Sequence, residues 1–214
     1  MDDNTFRVSS ALRLGGDICY PHKCQCGEDI SSKAYHGLKC KKSAGRLSRH
    51  NQINDIISRA LVTINVPNIR EPLGCSRNDG KRPDGLTLIP WSKGKSLLWD
   101  FTCSDTFASS YIQFSSNKAG SVAAQAEDKK KAKYTNLMSQ FSFKPIGIET
   151  MGVVGPEGKS FISNIGSRLN LMTGNGKAAS FLWQRISIAI QRGNVASIMG
   201  TLPRGHHLDE IFLL

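Results

Sequence analysis

RPDGLTLIPWSKGKSLLWDFTC, residues 82–103, divides into two apolar runs about a Gly-centred turn. LTLIPW and SLLWDFTC are predicted strands, paired as a hairpin across SKGK. Strand interiors are depleted in Asp, and a carboxylate inside an apolar run is costly to bury unless something pairs with it. Asp100, between Trp99 and Phe101, breaks both rules and is a candidate functional residue. Asp84 lies in a Pro-Asp-Gly turn, ordinary turn chemistry when taken alone. Antiparallel pairing would bring Asp84 and Asp100 to the same end of the hairpin. Two such carboxylates suit a hard divalent cation, for which Mg²⁺ is the expectation. Pro90 marks a strand end or an edge position.

Upstream, residues 48–62 read as a helix capped by Ser48, with Ile53, Ile56, Ile57 and Ala60 on one stripe. Asp55 sits near its middle and is a candidate third acid. IREPLGC looks like a short first strand carrying Glu71, the acid placed beside the two aspartates as a further Mg²⁺ ligand. Downstream, residues 104–117 lack a period and read as loop, and a helix is expected over 119–141. Its positions Ala119, Ala123, Ala126, Tyr134, Leu137 and Phe141 recur at helical spacing and skip one place, which Lys130 fills. A run of lysines usually solvates a surface; phase puts Lys130 inward and turns Lys129 and Lys131 sideways or outward. A strand over 143–151 ends with Glu149, another candidate acid, before a Gly-rich loop at 152–160. Helices follow at 161–172 and 178–199, the second with Gln184, Arg185 and Arg192 available to face DNA. A loose tail at 203–214 is expected to carry His206 and His207 as disordered residues rather than ligands.

Residues 1–18 hold one short helix ahead of Gly15-Gly16. Four of the six cysteines then fall in 19–50. Cys24-x-Cys26 and His36-x-x-x-Cys40 supply two ligand pairs on short loops, as a tetrahedral Zn²⁺ requires. Cys19 and His22 are possible substitutes. A polar segment with little core of its own needs such a fixing point. The same segment carries Lys23, Lys33, Lys39, Lys41, Lys42, Arg46 and Arg49, a charge able to grip a phosphate backbone. Domain boundaries are drawn at 1–47 for the zinc element, 48–202 for the main domain with its C-terminal helices, and 203–214 for the tail.

Composition agrees. With 28 Lys and Arg against 17 Asp and Glu, the formal charge is +11, high for an enzyme of small metabolites and suited to DNA. No apolar run approaches ~18 residues, so no membrane span is expected. MDDNTFRVSS lacks a basic stretch followed by an apolar core, so no signal peptide is expected either. Reduced cysteines and a nuclear or cytoplasmic location follow as expectations. The abrupt start suggests a longer parent chain.

The predicted order is helix, three strands, helix, strand, with Asp84 and Asp100 on the second and third strands and Lys130 on the next helix. This resembles the PD-(D/E)xK nuclease superfamily at Arg82-Pro83-Asp84-Gly85 and Trp99-Asp100-Phe101-Thr102. The usual lysine position holds Thr102; Lys130 with Tyr134 is similar to branches that carry the lysine on the following helix. More of the chain resembles the restriction-like endonuclease domain of site-specific non-LTR retrotransposon proteins. Cys24, Cys26, His36 and Cys40 match its zinc element, Arg49-His50-Asn51 its helix start, and Asp84, Asp100, Lys130 and Tyr134 its catalytic set, over roughly residues 20–150. The resemblance implies an α/β PD-(D/E)xK core, a Mg²⁺-dependent DNA-nicking endonuclease, and a reverse transcriptase elsewhere in the parent chain. A nuclease fold retained only for gripping nucleic acid, with cleavage lost, is the competing expectation.

Overall fold

The computed structural model describes residues 1–43, 45–76 and 80–214. Asp2 caps the first helix, α1 (Asp3–Leu14), by accepting from the Thr5 amide, and Gly15 ends it in the left-handed region. A two-residue hairpin, β1 (His22–Lys23) and β2 (Asp29–Ile30), and a one-turn helix, α2 (His36–Lys39), form the cysteine-rich segment. Helix α3 (Gly45–Thr63) follows. It starts ahead of the predicted Ser48 cap, which is therefore an interior residue. Its first residue is closely packed: a Cβ at Gly45 would meet the backbone nitrogen of Ser197 at 2.4 Å.

Next come β3 (Asn68–Arg70), β4 (Gly85–Ser92) and β5 (Lys95–Ser104). The stretch predicted as loop contains one short helix, α4 (Ile112–Ser115). Helix α5 (Ser121–Lys133) ends well before the predicted Phe141, giving way to a 3-10 turn at Thr135–Leu137 and then β6 (Ser142–Glu149). The expected Gly-rich loop is also cut short, because α6 (Pro156–Thr173) begins inside it. Glu127 of α5 caps α6 from a distance, accepting from the Glu157 and Gly158 amides, and no local pattern could reveal that partner. The long helix α7 (Ala178–Met199) occupies its predicted span. The last helix is α8 (Leu208–Ile211). The tail is not loose: Ile211 and Phe212 are buried, and Phe212 bridges to Cys19. His206 and His207 lie there as helix-end groups, both bonded to Glu210.

The architecture is α/β, with a mixed sheet in the order β3-β4-β5-β6 flanked by helices. β3, β4 and β5 are antiparallel, while β5 and β6 run parallel through the α5 crossover. β5 is central and covered on both faces, so it reads as a continuous apolar run. Leu97, Trp99 and Phe101 join the core under α3, α6 and α7. Leu98 points the other way, towards Tyr134 and Phe143, and the pleat puts Asp100 on that same face. Gly85 pairs with Trp99 across the hairpin. Any Cβ there would lie 2.0 Å from the indole, so the glycine of Pro-Asp-Gly serves close approach rather than backbone conformation. A second apolar cluster joins Val8 and Leu12 of α1, Cys24, Leu38 and Cys40 of the cysteine-rich segment, Val195 and Ile198 of α7, and Phe212.

Candidate active site and metal centre

The hairpin brings Asp84 beside Asp100. The Asp84 amide donates to the Trp99 carbonyl at 3.0 Å, and the Phe101 amide donates back to Asp84 Oδ2 at 2.6 Å. Asp84 Oδ1 lies 2.8 Å from His50 Nε2 on α3. Asn54, one turn further along α3, completes this side. Its Oδ1 accepts from Trp99 Nε1 at 3.1 Å, which fixes the amide so that its NH₂ faces His50 and Asp84. From the opposite face, Lys130 Nζ donates to Asp100 Oδ2 at 2.7 Å. Phase on the helix thus identified the inward lysine. Lys129 lies beside the Tyr111 ring, and Lys131 pairs with Glu157.

The two carboxylates are driven apart electrostatically. Burial works to raise Asp84, but the His50 and Phe101 hydrogen bonds, with Asn54, outweigh it and hold Asp84 below the ordinary carboxylate range. Burial pushes Asp100 up to about 6; Lys130 opposes this and the Asp84 charge adds to it. Neighbouring titratable groups with opposite displacements are typical of sites that handle protons or cations.

A cleft of about 370 Å³ opens here, lined by both aspartates, His50, Lys130, Tyr134 and Glu71. Tyr134 is buried and its ring lies 4.8 Å from that of Phe143. Glu71 stands at the mouth, with left-handed φ of 47° and its amide on the Asp84 carbonyl. Asp55 is not part of this cleft: it is exposed on α3 and paired with Arg59 and Arg70. Glu149 is also spent elsewhere, accepting from the Val122 and Ala123 amides at the start of α5. Sequence reasoning left Asn54 unassigned. Its only signal is a place one turn after His50 on a helix leading into the hairpin.

Cys24, Cys26, His36 and Cys40 form the second site, their ligand atoms all within 4.8 Å of one another. Cys24 Sγ and Cys40 Sγ are 3.7 Å apart, close to the edge of about 3.8 Å expected for a tetrahedron with Zn–S near 2.3 Å. His36 Nε2 lies 3.2 Å from Cys26 Sγ. Burial pushes the Cys24 thiol up to about 11, so a thiolate forms there only against a cation. These four residues can therefore hold one Zn²⁺. Cys19 and His22 do not join them: Cys19 is directed at the Ser31 carbonyl, and His22 bonds the Tyr20 carbonyl and Thr201.

Among the described residues, no helix is long and apolar enough to cross a membrane. The chain matches no family model and no curated protein sequence.

Proposed function

We propose that this chain is a metal-dependent DNA endonuclease domain with a structural zinc centre, built on a PD-(D/E)xK-type core. The reading rests above all on one observation: Lys130 on α5 reaches Asp100 on β5, beside Asp84 in the bend that leads into β4. Apart from the short α4 between β5 and α5, the order α3-β3-β4-β5-α5-β6 is the one the resemblance carried by Arg82–Gly85 and Trp99–Thr102 implies. The raised Asp100 supports a cation site, since Lys130 beside it only partly offsets burial and the neighbouring Asp84 charge.

Asp84 and Asp100 would hold the Mg²⁺, with Glu71 at the mouth as a third acid. Bound there, Mg²⁺ supplies relief of phosphate charge and a water of lowered pKa. The chain's own groups do the rest. Lys130 orients the attacking water or meets the negative charge developing on the phosphate. His50 and Asn54 hold Asp84 ionised and in place. Tyr134 closes the floor beside Lys130. The formal charge of +11 draws in the polyanion. By the same resemblance, the nick would open target DNA for a reverse transcriptase in a longer parent chain.

A second reading, a nuclease fold kept for grip alone, draws on the saturation of Asp84, both of whose oxygens already accept protein hydrogen bonds. Supercoiled plasmid with Mg²⁺, with and without EDTA, separates the two. The endonuclease reading expects EDTA-sensitive nicking that Asp100→Asn abolishes while DNA binding persists. Wild-type protein that binds DNA but nicks none, indistinguishable from Asp100→Asn, gives the result to the grip reading.

A further inference from the structure

On the zinc side of Lys130 lies a second recess, of about 390 Å³, that the catalytic reading leaves unused. It shares His50 and Lys130 with the cleft described above, so the two recesses adjoin across these side chains. Lys41, Arg46 and Arg49 line it, with Thr102 on β5, and no carboxylate does.

Arg49 is the residue that calls for an explanation. It is 3% exposed. One Nη donates to the neutral amide of Asn194, which is itself bonded to the Thr150 carbonyl. Its Nε has no partner, and no carboxylate pairs with it among the described residues. The nearby carboxylate that feels its charge, Asp105, accepts from the Phe107 amide and Thr150 through Oδ1 and makes no direct ion pair with Arg49. Guanidinium does not deprotonate in proteins. A buried cation is stabilised by a nearby anion; Asp105 supplies part of that charge, and the recess, lined by Lys41, Arg46 and Lys130 as well, carries more positive charge than Asp105 offsets. The position is also held firmly: a Cβ at Gly193 would lie 2.4 Å from Arg49 Cβ, so α7 packs directly against the arginine stem. The other two cations are placed by the metal centre. Lys41 directly follows the ligand Cys40, and Arg46 donates to the Lys39 carbonyl at 3.4 Å.

We propose that this recess is a phosphate subsite. It takes the backbone phosphate flanking the one at Asp84 and Asp100, so the substrate is a polynucleotide strand that runs from the cleft towards the zinc centre. The flanking assignment rests on the endonuclease reading; the phosphate site itself does not.

The test uses the whole zinc-loaded chain, a fluorescent 30-base-pair duplex in Mg²⁺-free buffer without chelator, and a salt series. Lys41→Ala and Arg46→Ala sit on exposed side chains and should fold. Each should lower the slope of log affinity against log salt by about one, the signature of one lost phosphate contact. Lys177→Ala, an exposed lysine at the far end of the molecule, should change it much less. Arg49→Lys keeps charge and stem but loses the planar fork; it should weaken binding at fixed salt, alongside the fall in melting temperature expected from the lost Asn194 bond. A purely structural Arg49 would lower the melting temperature yet leave DNA affinity at fixed salt unchanged, and unchanged affinity overturns its role. Slopes unchanged in both Lys41→Ala and Arg46→Ala overturn the subsite, whatever nicking is seen. Slopes that fall by about one, in protein that nicks nothing with Mg²⁺, leave the phosphate site standing and remove the endonuclease reading.

Discussion

Replacing Asp100 by Asn should make the metal-free protein more stable, not less. Asp100 is 3% exposed and its pKa rises from the ordinary 3.8 to about 6. The folded state therefore holds this proton more tightly than the unfolded state, so stability falls as pH climbs from about 4 to 6 and stays low above that. At 1.36 kcal/mol per pH unit, the ionised carboxylate costs about 3 kcal/mol at pH 8. Asn mimics the protonated acid in shape and leaves Lys130, a partly exposed lysine, free to turn to solvent. For a chain of this size the gain is a rise of about 5–10 °C in melting temperature. At pH 4.5 wild type is itself largely protonated, and the gap should shrink to about 1 kcal/mol. Calorimetry of both zinc-loaded proteins in Mg²⁺-free buffer without chelator at the two pH values is the assay. Adding Mg²⁺ at a hundredfold excess over its Kd should return about 2.7 kcal/mol to wild type and nothing to the variant. A variant less stable than wild type at pH 8, or a gap that ignores pH, refutes the account of Asp100 as a carboxylate held at a cost for its cation.

Purified protein should carry one zinc per chain, and Cys40→Ser should lose it with the fold of residues 19–43; metal analysis that finds zinc retained would redraw the ligand set. Lys130→Ala should slow nicking on the order of 10²–10³-fold, while Lys129→Ala, whose side chain rests on Tyr111, should nick at close to the wild-type rate in the same plasmid assay. His50→Ala removes a hydrogen bond that lowers Asp84, so its carboxyl should rise and the acid limb of the pH–rate profile should move to higher pH. Gly85→Ala drives a methyl into the Trp99 ring and should cost about 1–3 kcal/mol or more in a denaturant titration; a neutral result would contradict the close approach.

The sheet hairpin, the inward lysine and the cysteine–histidine cluster were legible because each is written in short-range spacing. Asp84 and Asp100 converge through the SKGK turn between them, and Lys130 is picked out by the period of its own helix. What escaped reading depends on partners far along the chain. Ser48 looks like a cap until Gly45 is seen seated on Ser197. The start of α6 depends on Glu127, a carboxylate of another helix. The tail looked loose because Ile211 and Phe212 gain their burial against residues near the other end of the chain. Asn54 shows no pattern at all, since its role depends on Trp99 approaching from β5.

Helix α7 belongs to both apolar clusters, with Leu182 and Ile186 in the one under the sheet and Val195 and Ile198 in the one around the cysteines. This has a consequence for the order of events during synthesis. The cysteine segment is made early, yet the surface it packs on, residues 195–212, is made late. Contacts of such long sequence separation form slowly. The metal ligands therefore leave the ribosome well before the α7 and tail part of their apolar support exists, and early zinc capture would hold their loops together through that interval.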